Sequence, residues 1–250
     1  MIDILRSEWT KLRSVRSTMW TFIVAAVLMI GFCVLISIAA LSTNEPLDGF
    51  DAFDSSMGGS VFASIALATL GVLSVSSEYR TGMIRTSLQA VPQRLSLLAG
   101  KVLVFTAVTL VYSVILSFAS FFTGMAILAR ENMETTLGAP GVLRALIGTA
   151  LLLTASGLFG LALGSLIRHS PGAIVTAISM ILIVPQLTNL LPGEWGRTVN
   201  EYMTTNAGNL VALVEPRAGA MGPWEGFAVY LAWIAAVAIA GAVLLKKRDA

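Results

Sequence analysis

Residues Ser17 to Leu41 read STMWTFIVAAVLMIGFCVLISIAAL, a run of about 25 residues without a single Asp, Glu, Lys, Arg or His. A helix crosses the ~30 Å hydrocarbon core of a bilayer in about 20 residues, so this run is long enough to span. Five more uncharged runs follow at 57–76, 102–128, 145–167, 173–191 and 227–245. The whole chain agrees with them: 56% of its 250 residues are hydrophobic, only 12% are charged, and the mean hydropathy is +0.83. These values lie far outside the range of soluble domains. The expected fold is all-α, a polytopic membrane protein with six transmembrane helices forming a single transmembrane domain over residues 1–250.

Orientation follows from the charges between the runs, because Lys and Arg are retained on the cytoplasmic side. With both termini cytoplasmic, the inner segments hold Arg6, Lys11, Arg13, Arg16, Arg80, Arg85, Arg94, Lys101, Arg168, Lys246, Lys247 and Arg248, twelve of the 16 basic residues. Only Arg130, Arg144, Arg197 and Arg217 fall outside, where the acidic cluster Glu45, Asp48, Asp51 and Asp54 also lies.

Residues 1–16 do not read as a removable signal. A secretory apolar region is about 7 to 15 residues long, shorter than the run that follows Arg16. Ile2, Leu5, Trp9 and Leu12 recur at spacings of three and four and share one helical face, with Asp3, Arg6, Lys11 and Arg13 mostly elsewhere. This is the pattern of an amphipathic helix lying in the interface, its basic residues toward anionic headgroups. A plain extension of the first span is the simpler alternative.

Several chemistries find no support. Cys33 is the only cysteine and His169 the only histidine, so an internal disulfide and a Cys/His metal site are excluded. His169, in RHSPG, reads as an ordinary loop residue. There is no G-x-x-x-x-G-K-[ST], no G-x-S-x-G and no H-E-x-x-H, and LLAGK before Val102 lacks the first glycine of a phosphate loop. No catalytic residue is assigned. The lack of charge within the spans also disfavours a proton- or ion-coupled carrier.

Two stripes mark helix faces. Gly157, Gly160 and Gly164 stand three and four apart, and the last two form a G-x-x-x-G pair suited to close helix packing. Thr106, Thr109, Ser113, Ser117 and Ser120 run down one side of the third span. They serve either interhelical or back-bonded hydrogen bonds or, alternatively, a hydrophilic lining for a translocation path. Pro185 and Pro192 predict a broken fifth helix. Residues 192–226, with Trp195, Tyr202 and Trp224, predict short amphipathic or re-entrant helices at the outer interface.

The longest inner loop is SEYRTGMIRTSLQAVPQRLSLLAGK, residues 77–101. It reads as a short helix, a break at Pro92 and a second helix feeding the third span. Glu78, Tyr79, Arg80 and Gly82, then Pro92 and Arg94, then Lys101, resemble the ordered signature of the permease subunits of class-2 ABC exporters. Met83 departs from the commoner Thr.

That resemblance implies that the loop is a coupling element seated in a separate P-loop ATP-binding subunit. Glu78, Tyr79, Arg80 and Gly82, with Arg85 and Arg94, would make or shape the contact. For Arg85 and Arg94, anchoring to lipid phosphates is the alternative. It further implies a second permease chain, in a homodimer or heterodimer, and no cofactor in this chain, ATP and Mg being held by the ATPase partner. The setting implied is the multi-pass cell membrane of a bacterium, with lipid rather than nucleic acid as the surrounding partner. The expected function is ATP-driven export of an amphipathic, drug- or peptide-like substrate by a permease that is not itself an enzyme. The alternatives are an antimicrobial sensing or immunity module acting by binding, and, less favoured, a secondary carrier.

Overall fold

The structure is a computed structural model that describes residues 2–42, 49–83, 94–216 and 219–247. Its helices are α1 (Ile2–Ser14), α2 (Arg16–Ser42), α3 (Gly49–Met57), α4 (Ser60–Thr81), α5 (Arg94–Leu128) and α6 (Val142–Ile167). Then come α7 (Ser170–Ile178), a π-helical segment (Ser179–Ile183), α8 (Val184–Thr188), α9 (Gly193–Glu201), α10 (Thr204–Asn209) and α11 (Pro223–Lys247). Among the described residues there is no strand. Six helical stretches are long and apolar enough to cross a membrane: Arg16–Ser42, Gly49–Thr81, Leu95–Glu131, Val142–Ile167, Ser170–Thr188 and Pro223–Leu245. The all-α, six-span expectation therefore holds.

Two helices outrun their uncharged cores. α4 continues through Glu78 to Thr81, and α5 begins at Arg94, so its 35 residues extend for roughly 50 Å. Helix thus enters the 77–101 loop from both sides, while residues 84–93, with Arg85 and Pro92, lie outside the described residues. Gly82 ends α4 at φ +72°, donating its N–H to the Tyr79 carbonyl at 3.4 Å. A glycine enters that left-handed conformation without the Cβ penalty.

Helix α6 is the centre of the bundle. Of its most apolar window 83% is buried, against 22% for α2 and 17% for α11, and a helix apolar all round belongs inside. α4 packs on it through a glycine seam. A Cβ at Gly71 would fall 2.0 Å from the Gly157 carbonyl, one at Gly160 1.9 Å from that of Ala68, and one at Gly164 2.8 Å from that of Val72. Only backbones without side chains between them come so close. A Cβ at Gly157 would fall 3.1 Å from the Phe105 ring of α5.

At the end of the bundle away from α1, the expected break in the fifth span is instead a π-helical segment upstream of Pro185, and the backbone stays helical from Ser170 to Thr188. In the π segment the Val184 N–H reaches back to the Ser179 carbonyl, which leaves the Met180 carbonyl without its usual partner. Pro185 has no N–H for the Ile181 carbonyl. Thr204 Oγ1 donates to Met180 O and Thr205 Oγ1 to Ile181 O, both at 2.9 Å. Asn200 Nδ2 donates to Thr188 Oγ1 at 2.8 Å. The segment that includes α9 and α10 thus satisfies the carbonyls that the π segment and Pro185 release.

The hydroxyl stripe of α5 is closed inside the chain. Thr109, Ser113, Ser117 and Ser120 are fully buried, and Thr106 is half-buried. Thr106 and Thr109 bond back to their own helix, at Val102 O and Phe105 O, and Ser120 Oγ donates across to Ser56 O of α3 at 2.7 Å. Ser113 and Ser117 have no hydrogen-bond partner among the described residues. In this conformation the stripe faces neighbouring helices, so a path along it would require α5 to part from them.

Candidate functional site

Four charged side chains from three helices meet where α1, the end of α4 and the start of α5 converge. α1 brings Glu8 and Lys11, α4 brings Glu78 and α5 brings Lys101. Lys101 Nζ lies 2.6 Å from Glu8 Oε2 and 2.9 Å from Glu78 Oε1, and Lys11 Nζ lies 2.6 Å from Glu8 Oε1 and 2.9 Å from Glu78 Oε1. The Ser74 carbonyl accepts a further bond from Lys101 at 3.2 Å. The side chains of Glu8, Glu78 and Lys101 are 3%, 6% and 9% exposed, and that of Lys11 is 27% exposed.

Two carboxylates and two ammonium groups make the cluster neutral, which is the condition for removing four charges from water. Burial opposes ionisation of Glu8, but Lys101 and Lys11 outweigh it and hold the carboxyl below its ordinary range. Burial likewise opposes the charge on Lys11, and its hydrogen bonds to Glu8 and Glu78 prevail, raising its pKa.

A second set of contacts grips α4 from the other side. The Arg168 guanidinium stands 4.9 Å from the centre of the Tyr79 ring, and its Nη2 donates to the Leu244 carbonyl near the end of α11 at 3.2 Å. Arg168 itself caps α6 with φ +59°. Ser170 Oγ, at the start of α7, donates to Ser76 Oγ at 2.8 Å. The last turns of α4 are therefore bound to α1, α5, α6 and α7, and through Arg168 to α11. Arg80, Thr81, Gly82 and Met83 beyond them are exposed.

The sequence-identified residues separate accordingly. Glu78 is buried inside the cluster, Tyr79 is half-buried under Arg168, and Arg80 and Gly82 are on the surface. Arg94 opens α5, and Arg85 lies outside the described residues. Sequence reasoning missed Glu8, and it read Lys11 only as part of a polar face. The signal was present: Glu8 stands one helical turn from Ile4 and one turn from Leu12, a carboxylate at the edge of an apolar stripe. Ile2 and Trp9, the most exposed apolar residues of α1, are 72% and 52% exposed. Among the described residues no group of three His, Cys, Asp or Glu side chains could hold a metal ion.

A family model described as ABC-2 family transporter protein matches residues 4–186, from α1 into α8. The chain belongs to this family of transporter membrane proteins and, with its six spanning-length helices, is a multi-pass membrane protein. Members form the permease component of transporters that typically work with an ATP-binding subunit. Among curated proteins, none matches the chain.

Proposed function

We propose that this chain is the permease subunit of an ATP-driven exporter, in which the root of the α4–α5 loop receives movement from a separate P-loop ATPase. The observation that carries this reading is the division within Glu78-Tyr79-Arg80. Glu78 and Tyr79 are gripped by helices on both sides, and Arg80 projects beyond them. A force applied at Arg80 reaches a turn that cannot shift without carrying its partner helices. Arg80 is the contact residue, and Glu78 is a positioning residue that fixes the angle at which the loop is presented.

In this reading the loop and both termini are cytoplasmic, which the distribution of basic residues supports. The chain binds no nucleotide, two permease chains enclose the pathway, and two ATPase chains power it. The cargo class that fits best is a small amphipathic molecule. The α5 hydroxyl stripe joins the pathway when α5 separates from α2 and α3 during the cycle.

The test is substrate-stimulated ATP hydrolysis by the reconstituted complex. Arg80→Ala is expected to keep the fold and ATPase binding while losing most of the stimulation. Glu78→Ala is expected to lose stimulation together with thermal stability. Full stimulation in both variants refutes the assignment.

A further inference from the structure

Helix α1 carries three stripes, each built from residues three and four apart. Ile4, Glu8 and Lys11 face the bundle: Glu8 and Lys11 enter the charge cluster, and a Cβ on Gly100 of α5 would fall 2.5 Å from Ile4 Cγ2. Asp3, Ser7, Thr10 and Ser14, all exposed, form a polar stripe. The third stripe is Ile2, Arg6, Trp9 and Arg13, also exposed and within about 60° of one another around the helix. It lies between the polar stripe and Leu12, which packs against the core.

The contacts of the inward stripe fix how α1 lies. Ile4 and Glu8 are about 6 Å apart along the helix, yet they meet the adjacent positions Gly100 and Lys101 of α5, and Lys11 reaches on to Glu78 of α4. α1 therefore crosses the ends of two spans, just before the uncharged run of α2 begins at Ser17. A helix so placed lies at the level of the phospholipid headgroups.

Charge complementarity selects the occupant of the third stripe. Arg6 and Arg13 form no ion pair among the described residues, in contrast to Lys11 on the inward stripe. They alternate with Ile2 and Trp9, which are 72% and 52% exposed. An aliphatic chain and an indole suit the acyl boundary, and the guanidinium groups beside them suit phosphate. The exposed carboxylate of α1, Asp3, is on the polar stripe, away from the arginines.

We infer that the stripe Ile2–Arg6–Trp9–Arg13 binds anionic phospholipid, and that lipid bound there braces the end of α4. The turn that carries Trp9 outward carries Glu8 inward to Lys101, and Lys11 links it to Glu78. Whatever holds α1 in place therefore holds the charge cluster in place. The anionic lipid content of the leaflet thereby regulates the element assigned above to coupling. That regulatory role rests on the proposed function, whereas the binding and the brace do not.

The experiment follows hydrogen exchange in the purified chain, without ATPase, in neutral detergent micelles titrated with phosphatidylglycerol or phosphatidylcholine. Phosphatidylglycerol is expected to slow exchange in α1 and in the last turns of α4 together, and high salt to reverse this. Phosphatidylcholine is expected to leave both unchanged. An arginine at an anionic surface contributes about fivefold in affinity, so the double variant Arg6→Gln with Arg13→Gln should need about thirtyfold more phosphatidylglycerol for half-protection. Both residues are exposed, and without lipid this variant should melt like the wild type. Lys246→Gln with Lys247→Gln, which removes the same charge at the end of α11, should titrate like the wild type.

Equal protection by the two lipids overturns the inference, as does a wild-type titration of the Arg6→Gln, Arg13→Gln protein or an equal loss in the Lys246→Gln, Lys247→Gln protein. Protection of α1 without protection of the α4 end overturns the brace. Because no ATPase is present, each of these results is read separately from the loss of ATPase stimulation that tests the proposed function.

Discussion

Lys101 Nζ lies 2.6 Å from Glu8 Oε2 although 93 residues separate them, and the same nitrogen reaches Glu78 Oε1 at 2.9 Å. One ammonium group thus ties the first helix of the chain to the end of α4 and the start of α5. Arg80, the residue assigned to the ATPase contact, lies just beyond that tie.

Lys101→Met should be strongly destabilising. It leaves two buried carboxylates with only the more exposed Lys11 as counter-ion, and breaking a buried ion pair from one side costs about 3–5 kcal/mol. The double variant Lys101→Met with Glu8→Gln should recover part of the loss. Thermal unfolding of both in the same detergent measures this, and a single variant that melts like the wild type contradicts it.

The cluster also sets a pH dependence. The Glu8 pKa is lowered in the folded protein, so its contribution is present above the ordinary value of 4.5 and lost as pH falls below it through the folded value. The Lys11 pKa is raised, so its contribution is present below 10.5 and lost as pH rises beyond it. The melting temperature should therefore fall in acid more steeply for the wild type than for Glu8→Gln. Parallel acid limbs would remove Glu8 from the account.

Much of this architecture was legible in the sequence, and what was not has identifiable physical causes. The six uncharged runs specify the spans, since no other element satisfies its backbone in hydrocarbon over such lengths. The ends of α4 and α5 read as separate short helices of an inner loop, outside the spans, because they contain Glu78 and Lys101. A charge signals a membrane boundary only when it is solvated, and these two are neutralised inside the protein. The partner that permits this is Glu8, distant along the chain and hidden in a helix whose apolar periodicity was the stronger signal. α3 was missed for a similar reason, because FDAFDS looks polar although Ala52 and Phe53 are fully buried. In the fifth span Pro185 predicts a break, but the backbone stays helical through it to Thr188 and the irregularity is a π segment just before it, whose released carbonyls are met by Thr204 and Thr205 from another element.

The α4–α6 seam yields a graded prediction. Gly160→Ala places a methyl group against the Ala68 backbone at 1.9 Å, where neither helix can yield without moving. Gly157→Ala meets the Phe105 ring at 3.1 Å, and a side chain can turn. Gly160→Ala should lose folded protein, overpacking costing typically about 1–3 kcal/mol or more, and Gly157→Ala should lose less. Equal yields and melting temperatures would mean that the helices are not in backbone contact.

Thr205→Val should loosen the fifth span at its π segment. It removes the hydroxyl that serves the Ile181 carbonyl, at a cost of about 1–3 kcal/mol for an acceptor left unmet. Hydrogen exchange should rise through the π segment and α10 and stay unchanged in α4 and α6. Uniform exchange across all four would contradict the clamp.

The most direct test of the central claim is purification of the chain from its native membranes in mild detergent, with identification and quantification of everything that accompanies it. The account predicts a P-loop ATPase in one-to-one ratio with the permease chains, retained by wild type and Arg80→Ala alike. Intact chain recovered without any ATPase would contradict it, leaving Glu78 and Lys101 as fasteners of a membrane bundle that no nucleotide drives.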